Sequence, residues 1–167
     1  KDMPNDVSVG GIILIDDGLI EFRVKEITDT EILMEALNEG TLKNHKCVNV
    51  PNVNINLPAI TEKDISDIIF GIKNDVDFIA LSFTSTKEDI LKARDILQEE
   101  DGEQWIISKV ESNFAIKNID DLIEYSNGIM VARGDLGVEI ELSKIPSVQR
   151  TIIEKCNVKG KPVIVAT

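Results

Sequence analysis

The first third of the chain carries the hydrophobic pattern of short β-strands. Every second residue from Ile20 to Val24 is apolar and the residues between them are charged, which is the period of a half-buried strand. Apolar runs at residues 12–15 and 32–34 predict two more strands. Turns are predicted at residues 16–18, with a positive φ at the glycine, at residues 28–30, and at residues 38–40, the last as a further hairpin. We therefore expect a small antiparallel β module here.

The pattern changes near residue 55, and we divide the chain into domains of residues 1–54 and 55–167. In the second domain, segments with apolar residues at helical spacing alternate with short apolar runs. Helices are predicted around residues 65–72, 90–97, 116–123 and 148–157, and strands at residues 77–82, 105–109, 128–132 and 162–166. Thr61 and Thr86 are predicted N-caps, because each is followed three residues later by an aspartate that can complete a capping box.

Helices that alternate with nearly continuous apolar strands favour an α/β fold, in which helices cover a parallel sheet. The predicted strand starts at residues 77, 105, 128 and 162 suit successive units of a TIM (β/α)8 barrel or of a doubly wound sheet. Four such strands would be half of an eight-stranded barrel, preceded by the small antiparallel β module. A half-barrel has two open, apolar sheet edges, so the sequence looks like a piece of something larger.

Composition and charge exclude several classes of partner. The 167 residues are 43% hydrophobic and 29% charged, as in an ordinary globular chain. A net charge of −12 opposes binding to nucleic acid or to an anionic membrane. No apolar run approaches the roughly 20 residues of a membrane span, and the first residues lack the apolar region of a signal peptide. With two distant cysteines, Cys47 and Cys156, and one histidine, His45, a Cys/His zinc site is excluded, and free thiols fit a reducing cytosol.

Polar side chains follow the predicted parallel strands at the points where the strands end. They are Ser82, Lys109 with Glu111, the run Arg133, Gly134 and Asp135, and Thr167. In a β/α barrel such groups meet at one mouth, where active sites lie. Glu111 and Asp135 could supply two carboxylates to one Mg²⁺, with Lys109 as a positive charge for a phosphoryl or enolate oxygen. Gly134 permits close backbone approach, and amides at the start of a helical turn can hold a carboxylate.

Each of these residues also has a purely structural interpretation. Lys109 and Glu111 could form a salt bridge at the rim of the sheet, and Asp135 could cap a helix. Asp16 and Asp17 could bind a metal, although a turn is favoured, and no role is assigned to the histidine and the cysteines. Phe83 could flank a pocket or pack in the core. Agreement between four strand ends favours the functional interpretation of the cluster over the structural one.

At these positions the chain resembles pyruvate kinase along its whole length. The motif ILIDDGLI (residues 13–20) resembles the hairpin of the family's lid domain, and NLPAITEKD (residues 56–64) resembles the return into its barrel. ISKVE (residues 107–111), GIMVARGDLGVEI (residues 128–140) and GKPVIVAT (residues 160–167) resemble barrel strands five, six and seven with their catalytic ends. The thirteen residues of GIMVARGDLGVEI are the most specific of these motifs.

The resemblance implies transfer of the phosphoryl group of phosphoenolpyruvate to ADP, which gives pyruvate and ATP in the cytoplasm. By the same resemblance, Lys109 stabilises the transferring phosphoryl group, and Glu111 and Asp135 bind the Mg²⁺ that holds the substrate. The amides of Gly134 and Asp135 would bind the substrate carboxylate, and Thr167 would lie near the carbon that gains a proton. A second Mg²⁺ accompanies the nucleotide in the family. Many members also need K⁺, and members are generally homotetramers.

The chain departs from the usual family pattern at several positions, none of which is Lys109, Glu111 or Asp135. Cys47 and Asn52 stand where glycines are usual, Thr84 and Ser85 where an arginine is usual, ESNFA (residues 111–115) where ENxxG is usual, and Glu141 where a proline is usual. We expect these changes to alter the lid hinge and the loops rather than the chemistry.

The resemblance implies a partial TIM (β/α)8 barrel, about half of one, with a small antiparallel β lid module at the N-terminus. It covers the second part of the lid and barrel strands four to seven, so we expect a fragment of a longer enzyme. The K⁺ ligands and an arginine that contacts the phosphoryl group belong to strands without a counterpart here. The isolated polypeptide is therefore expected to be inactive. Two alternatives remain open: another Mg²⁺-dependent barrel enzyme that forms an enolate, such as an aldolase or lyase, and a non-catalytic interaction module on the same scaffold.

Overall fold

The structure is a computed structural model that describes residues 3–51, 53 and 60–167. The described residues form two compact units. The first consists of the residues before position 58 together with Val138–Glu141, and the second of the remaining residues. The predicted domain boundary between residues 54 and 55 lies outside the described residues, as do Asn52 and the first part of the motif NLPAITEKD.

The first unit is built on an antiparallel sheet. Its elements are the short helix α1 (Met3–Asp6) and the strands β1 (Ile12–Ile15), β2 (Ile20–Ile27), β3 (Ile32–Ala36) and β4 (Val48–Asn49). The strand order is β3-β2-β1-β4. Ile13, Ile20 and Val24 lie in its small buried core, so the alternation read from the sequence places the apolar face of β2 inward as predicted. Helix α1 was not predicted.

The turn between β1 and β2 has the predicted conformation at its glycine. Gly18 has a φ of 83°, and Asp16 and Asp17 also have positive φ values, of 58° and 56°. Aspartate tolerates this conformation better than most side chains do. The Asp16 carboxylate lies 2.7 Å from the Lys46 ammonium, so the pair of aspartates serves the turn, the favoured interpretation.

The hairpin predicted at residues 38–40 is wrong. β3 is an edge strand, and the chain beyond it passes to β4, which pairs with β1. The reason is a pair of hydrogen bonds to residues earlier in the chain: the Asn38 side chain accepts one from the Glu21 N–H and donates one to the Leu19 carbonyl, both at 2.8 Å. These bonds attach Asn38 to the beginning of β2 instead of to a new strand.

The second unit alternates helices and parallel strands as predicted. Its elements are α2 (Glu62–Lys73), β5 (Phe78–Leu81), α3 (Lys87–Glu99), β6 (Trp105–Val110), α4 (Asn113–Lys117), α5 (Ile119–Tyr125), β7 (Gly128–Ala132), α6 (Arg133–Glu139), a 3-10 helix (Leu142–Lys144), α7 (Ile145–Val158) and β8 (Val163–Ala166). The strands pair in parallel in the order β5-β6-β7-β8. Within the described residues this sheet does not close into a barrel.

Three details of the second unit differ from the sequence prediction. The single helix expected around residues 116–123 is two helices, α4 and α5, which meet at Asn118. The Asn118 side chain donates to the Ser85 carbonyl at 2.9 Å and so holds the junction against another loop. The last helix begins at Ile145 rather than at residue 148, because Pro146 is compatible with the first turn of a helix. Helix α6 begins directly after β7 and was not predicted.

The core of the second unit lies between its central strands and the helices. Every residue of β6 and β7 except Trp105, Lys109 and Met130 is buried, whereas the edge strands β5 and β8 have no fully buried residue. Phe78 in β5 is 57% exposed and Ile164 in β8 is 45% exposed. The open apolar edges expected for a half-barrel are therefore present in the described part of the chain.

Helices α2 and α3 start as the sequence predicts. The Thr61 side chain accepts a hydrogen bond from the Asp64 N–H, and the Asp64 carboxylate accepts one from the Thr61 N–H at 2.8 Å. At α3 the Thr86 N–H donates to the Asp89 carboxylate at 2.9 Å. The hydrogen bonds from Thr61 hold the pKa of Asp64 below its ordinary value, because they favour the charged form.

We expect Leu122→Ala to destabilise the chain by about 2 to 5 kcal/mol, because Leu122 in α5 is completely buried and its loss leaves a cavity. Leu91→Ala in α3 is the matched control. Leu91 is 37% exposed, so its truncation should cost clearly less. Chemical denaturation followed by circular dichroism measures both. Equal losses of stability in the two variants would contradict the burial of Leu122 in the core.

We expect Asp64→Asn to remove a stabilisation that depends on pH. Because the folded pKa of Asp64 is lowered, its contribution is present above the unfolded pKa of an aspartate, about 4, and is lost as the pH falls through the folded pKa. The variant should therefore be less stable than the original chain near neutral pH, and the difference should shrink in acid. Urea denaturation over a pH series measures this. Asp95→Asn, exposed within α3, is the control, and a difference independent of pH would contradict the role of the capping box.

Candidate active site

The candidate site begins with an ion pair at the end of strand β6. The Lys109 ammonium lies 2.6 Å from Oε1 of Glu111, and the side chains are 22% and 1% exposed. Residues two apart in an extended segment point the same way, so the sequence predicts this proximity. The salt bridge offered as a structural alternative is therefore present. Its carboxylate, Glu111, is buried, so the pair does not lie on an exposed rim.

The loop after β5 supplies a hydrogen bond to each member of this pair. Lys109 Nζ donates to the Ser82 hydroxyl at 2.9 Å, and the Phe83 N–H donates to Oε2 of Glu111. The Phe83 side chain is 53% exposed, so the core-packing interpretation of Phe83 is wrong. Its φ of 53° lies in the left-handed region.

The ends of β7 and β8 lie beside each other in the same way. Arg133 Nε donates to the Ala166 carbonyl at 2.8 Å. A Cβ at Gly134 would come within 3.4 Å of the Thr167 carbonyl oxygen, so Gly134 and Thr167 are in close proximity. Asp135 is in the first turn of α6, which begins at Arg133. The interpretation of Asp135 as the residue that caps a helix is therefore wrong.

The pKa of Glu111 depends on burial, on its hydrogen-bond donors and on the charge of Asp135. Burial raises the pKa of Glu111 above its ordinary value, although hydrogen bonds from Lys109 and from the Phe83 N–H oppose the rise, and the nearby charge of Asp135 adds to it. The contribution of Asp135 indicates that the two carboxylates are close enough to repel. Direct contacts thus join Ser82, Lys109 and Glu111. A second close approach joins Gly134 and Thr167, and the link between the two groups is the charge of Asp135 acting on Glu111.

The residues present fit a magnesium ion. Two neighbouring carboxylates, Glu111 and Asp135, repel each other, and a divalent cation would relieve that repulsion. Mg²⁺ commonly takes one or two protein carboxylates and completes its octahedron with water and substrate oxygens. Among the described residues, no group of three or more His, Cys, Asp or Glu side chains could hold a metal.

One contributor to the cluster escaped the sequence analysis, namely the backbone amide of Phe83. Its direction depends on a left-handed φ that an aromatic residue rarely adopts, so residue type gives no signal for it. No role is predicted for the two cysteines. Cys47 is exposed and Cys156 is buried, and both are free thiols. Burial raises the pKa of the Cys156 thiol, which keeps it in its neutral form.

Two departures from the usual family pattern have visible local roles. Thr84 is buried, and its hydroxyl donates to the Leu81 carbonyl at 2.9 Å. In the motif ESNFA, the Ser112 hydroxyl accepts a hydrogen bond from the Ala115 N–H at 3.1 Å and caps α4. Both substituted positions thus stabilise loops at the ends of strands.

Among the helices of the described ranges, none combines the length and the apolar character that crossing a bilayer requires.

Parallel strands that carry their charged groups at the carboxyl ends are typical of β/α-barrel enzymes. The model of one protein family, described as the pyruvate kinase barrel domain, matches residues 1–167. The chain therefore belongs to the pyruvate kinase family. Similar proteins include the pyruvate kinase of Clostridium perfringens, which is 52% identical over the whole of this chain and over 35% of its own length. The pyruvate kinase of Staphylococcus epidermidis is also 52% identical, over 29% of its length.

A solved structure agrees with this assignment. The crystal structure of a pyruvate kinase from Cryptosporidium parvum superimposes with a TM-score of 0.94 and 41% sequence identity, over 99% of this chain and 36% of that protein. The chain spans about a third of the length of the relatives that it matches. These comparisons give no support to an aldolase or lyase, nor to a non-catalytic module.

We expect Lys109→Met to raise the pKa of Glu111 further. Burial and Asp135 already raise this pKa, and the variant removes the hydrogen bond and the charge that oppose them. Infrared titration of ¹³C-labelled glutamate carboxylates in chelator-treated protein measures the shift. Ser82→Ala is the control, because it removes a partner of Lys109 and leaves the charge beside Glu111. An unchanged pKa in Lys109→Met would contradict the importance of the ion pair.

Proposed function

We propose that the full-length protein containing this chain transfers the phosphoryl group of phosphoenolpyruvate to ADP, giving pyruvate and ATP. The observation that carries the proposal is the Lys109 ammonium, held between the Ser82 hydroxyl and the Glu111 carboxylate at the carboxyl end of the sheet. Membership of the pyruvate kinase family supports the same reaction. The substrates are phosphoenolpyruvate and ADP, and the products are pyruvate and ATP.

Lys109 is the catalytic cation in this proposal. Phosphoryl transfer needs mainly positioning and the neutralisation of charge on the transferring group. Lys109 is 22% exposed, so a substrate can reach its charge at the carboxyl end of the sheet. Two partners, Ser82 and Glu111, hold the ammonium in place. A fixed charge of this kind needs little reorganisation when the negative charge of the substrate arrives.

Glu111 and Asp135 are the proposed ligands of Mg²⁺. The support is their mutual repulsion, which a cation would relieve, and the oxygen donors that they offer. When bound, the ion would neutralise charge on the phosphoryl group and the developing enolate. The chain's own contribution in this proposal is to hold the Lys109 ammonium beside the Glu111 carboxylate before the substrate arrives.

Gly134 and Thr167 are proposed to complete the substrate site. The amides of Gly134 and Asp135 lie in the first turn of α6 and are proposed to bind the substrate carboxylate. Gly134 is suited to this role because it has no side chain between its backbone and Thr167. Thr167 is proposed to lie near the carbon that gains a proton when the enolate becomes pyruvate.

The remaining partners and the cellular location are proposed from family membership. The full-length protein is expected to use a second Mg²⁺ with the nucleotide, K⁺ supplied by ligands elsewhere in the protein, and a homotetrameric assembly. We place it in the cytoplasm, where free thiols such as Cys47 persist. The net charge of −12 argues against nucleic acid and anionic membranes as partners.

We expect Lys109→Met in the full-length protein to lower kcat by about a hundredfold or more, since removal of a preorganised group that stabilises transition-state charge has an effect of this size. A coupled assay of ATP formation from phosphoenolpyruvate and ADP measures it. Lys73→Met at the end of α2, on the amino-terminal side of β5, is the control and should retain activity. Turnover at the original rate in Lys109→Met would show that the lysine has another role.

A further inference from the structure

Phe83 has a backbone conformation that its side chain disfavours. Among the described residues, six that are not glycine have a positive φ. Five of them are Asp16, Asp17, His45, Asp75 and Asp101, which belong to residue types that adopt the left-handed region comparatively often. Phe83 is the exception. A strained residue persists only where its surroundings hold it in place, and such residues cluster at functional sites.

The backbone N–H of Phe83 faces the carboxylate of Glu111. The Phe83 N–H donates to Oε2 of Glu111, while Oε1 of the same carboxylate receives Lys109. The two donors come from different elements, because Phe83 follows β5 and Lys109 belongs to β6. Each carboxylate oxygen therefore has a fixed donor, and rotation of the buried Glu111 side chain would break both hydrogen bonds.

The loop around Phe83 is stabilised by its neighbours rather than by the phenyl ring. Thr84 is buried and bonds back to the Leu81 carbonyl. The Ser85 N–H donates to the Asp89 carboxylate at 2.9 Å, and the Ser85 hydroxyl contacts the Phe83 carbonyl at 3.3 Å. The Phe83 ring is mostly exposed, so packing does not explain its conformation. The contact that accompanies this conformation is the hydrogen bond from the Phe83 N–H to Glu111.

We propose that Phe83 is a positioning residue, whose left-handed backbone orients the Glu111 carboxylate for metal binding. This inference rests on the proposed function, in which Glu111 is a magnesium ligand. According to this proposal, orientation of Glu111 requires a left-handed backbone at residue 83 and does not require the phenyl side chain. Glycine at position 83 would keep both the amide and the positive φ. Valine would keep the amide but disfavour that φ, because its side chain is branched at Cβ.

The test is direct binding of Mn²⁺ to the full-length protein without substrates, measured by the electron paramagnetic resonance of free Mn²⁺. The expected result is that Phe83→Gly binds within about threefold of the original protein, whereas Phe83→Val binds at least about tenfold more weakly, as the disfavoured backbone predicts. Equal affinity in the glycine and valine variants would overturn the proposal. So would an equal loss in both, because that would assign the effect to the side chain.

A second measurement needs no variant at residue 83 and so does not depend on whether Phe83→Val folds. Hydrogen–deuterium exchange of the segment around Phe83 is compared in the metal-free original protein and in Glu111→Ala. We expect the Phe83 amide to exchange at least about tenfold faster in the variant, because its acceptor is gone. Unchanged exchange would overturn the proposal.

The two sets of results separate this inference from the proposed function. If Glu111→Ala binds Mn²⁺ as tightly as the original protein, the metal role of Glu111 fails, and with it the metal-binding purpose assigned to Phe83. If Glu111→Ala loses Mn²⁺ while Phe83→Val and Phe83→Gly both bind normally, the metal site stands and only the role of Phe83 fails. Loss in Glu111→Ala and in Phe83→Val, with retention in Phe83→Gly, supports both.

Discussion

The second unit is organised around one buried carboxylate, that of Glu111. A charged group out of water is tolerated only when it is paired and hydrogen-bonded. Lys109 in β6, two residues before Glu111, and the Phe83 amide from the loop after β5 satisfy this requirement. The loop after β5 must therefore adopt the conformation in which the Phe83 N–H faces Glu111. Strand β6 must also keep its register against β5. The candidate site is a consequence of this requirement together with the parallel pairing of the strands.

Most of the fold could be predicted from the sequence because its signals are local. The alternation around Ile20 and Val24, the capping box at Thr61 and the apolar run at residues 128–132 each determine a structure within a few residues. The proximity of Lys109 and Glu111 follows from the same local rule, since alternate residues in an extended segment share a side. The expectation that distant strand ends converge follows from the topology of parallel sheets rather than from any single motif.

The features that sequence reasoning missed depend on contacts between distant residues. Asn38 occurs in a run typical of a turn, but its side chain is attached to β2, so no hairpin forms. The break between α4 and α5 depends on a hydrogen bond from Asn118 to Ser85, 33 residues away. The left-handed φ of Phe83 accompanies a hydrogen bond from its N–H to Glu111, 28 residues away. Propensity and periodicity do not contain information of this kind.

The edge strands of the parallel sheet have a consequence for how this segment behaves in solution. β5 and β8 lie at the two edges of the sheet that the described residues form, and both expose apolar side chains such as Phe78 and Ile164. Backbone groups along such edges are templates for strands from other molecules. Separate copies of this polypeptide would therefore tend to self-associate through these edges, to a degree that rises with concentration.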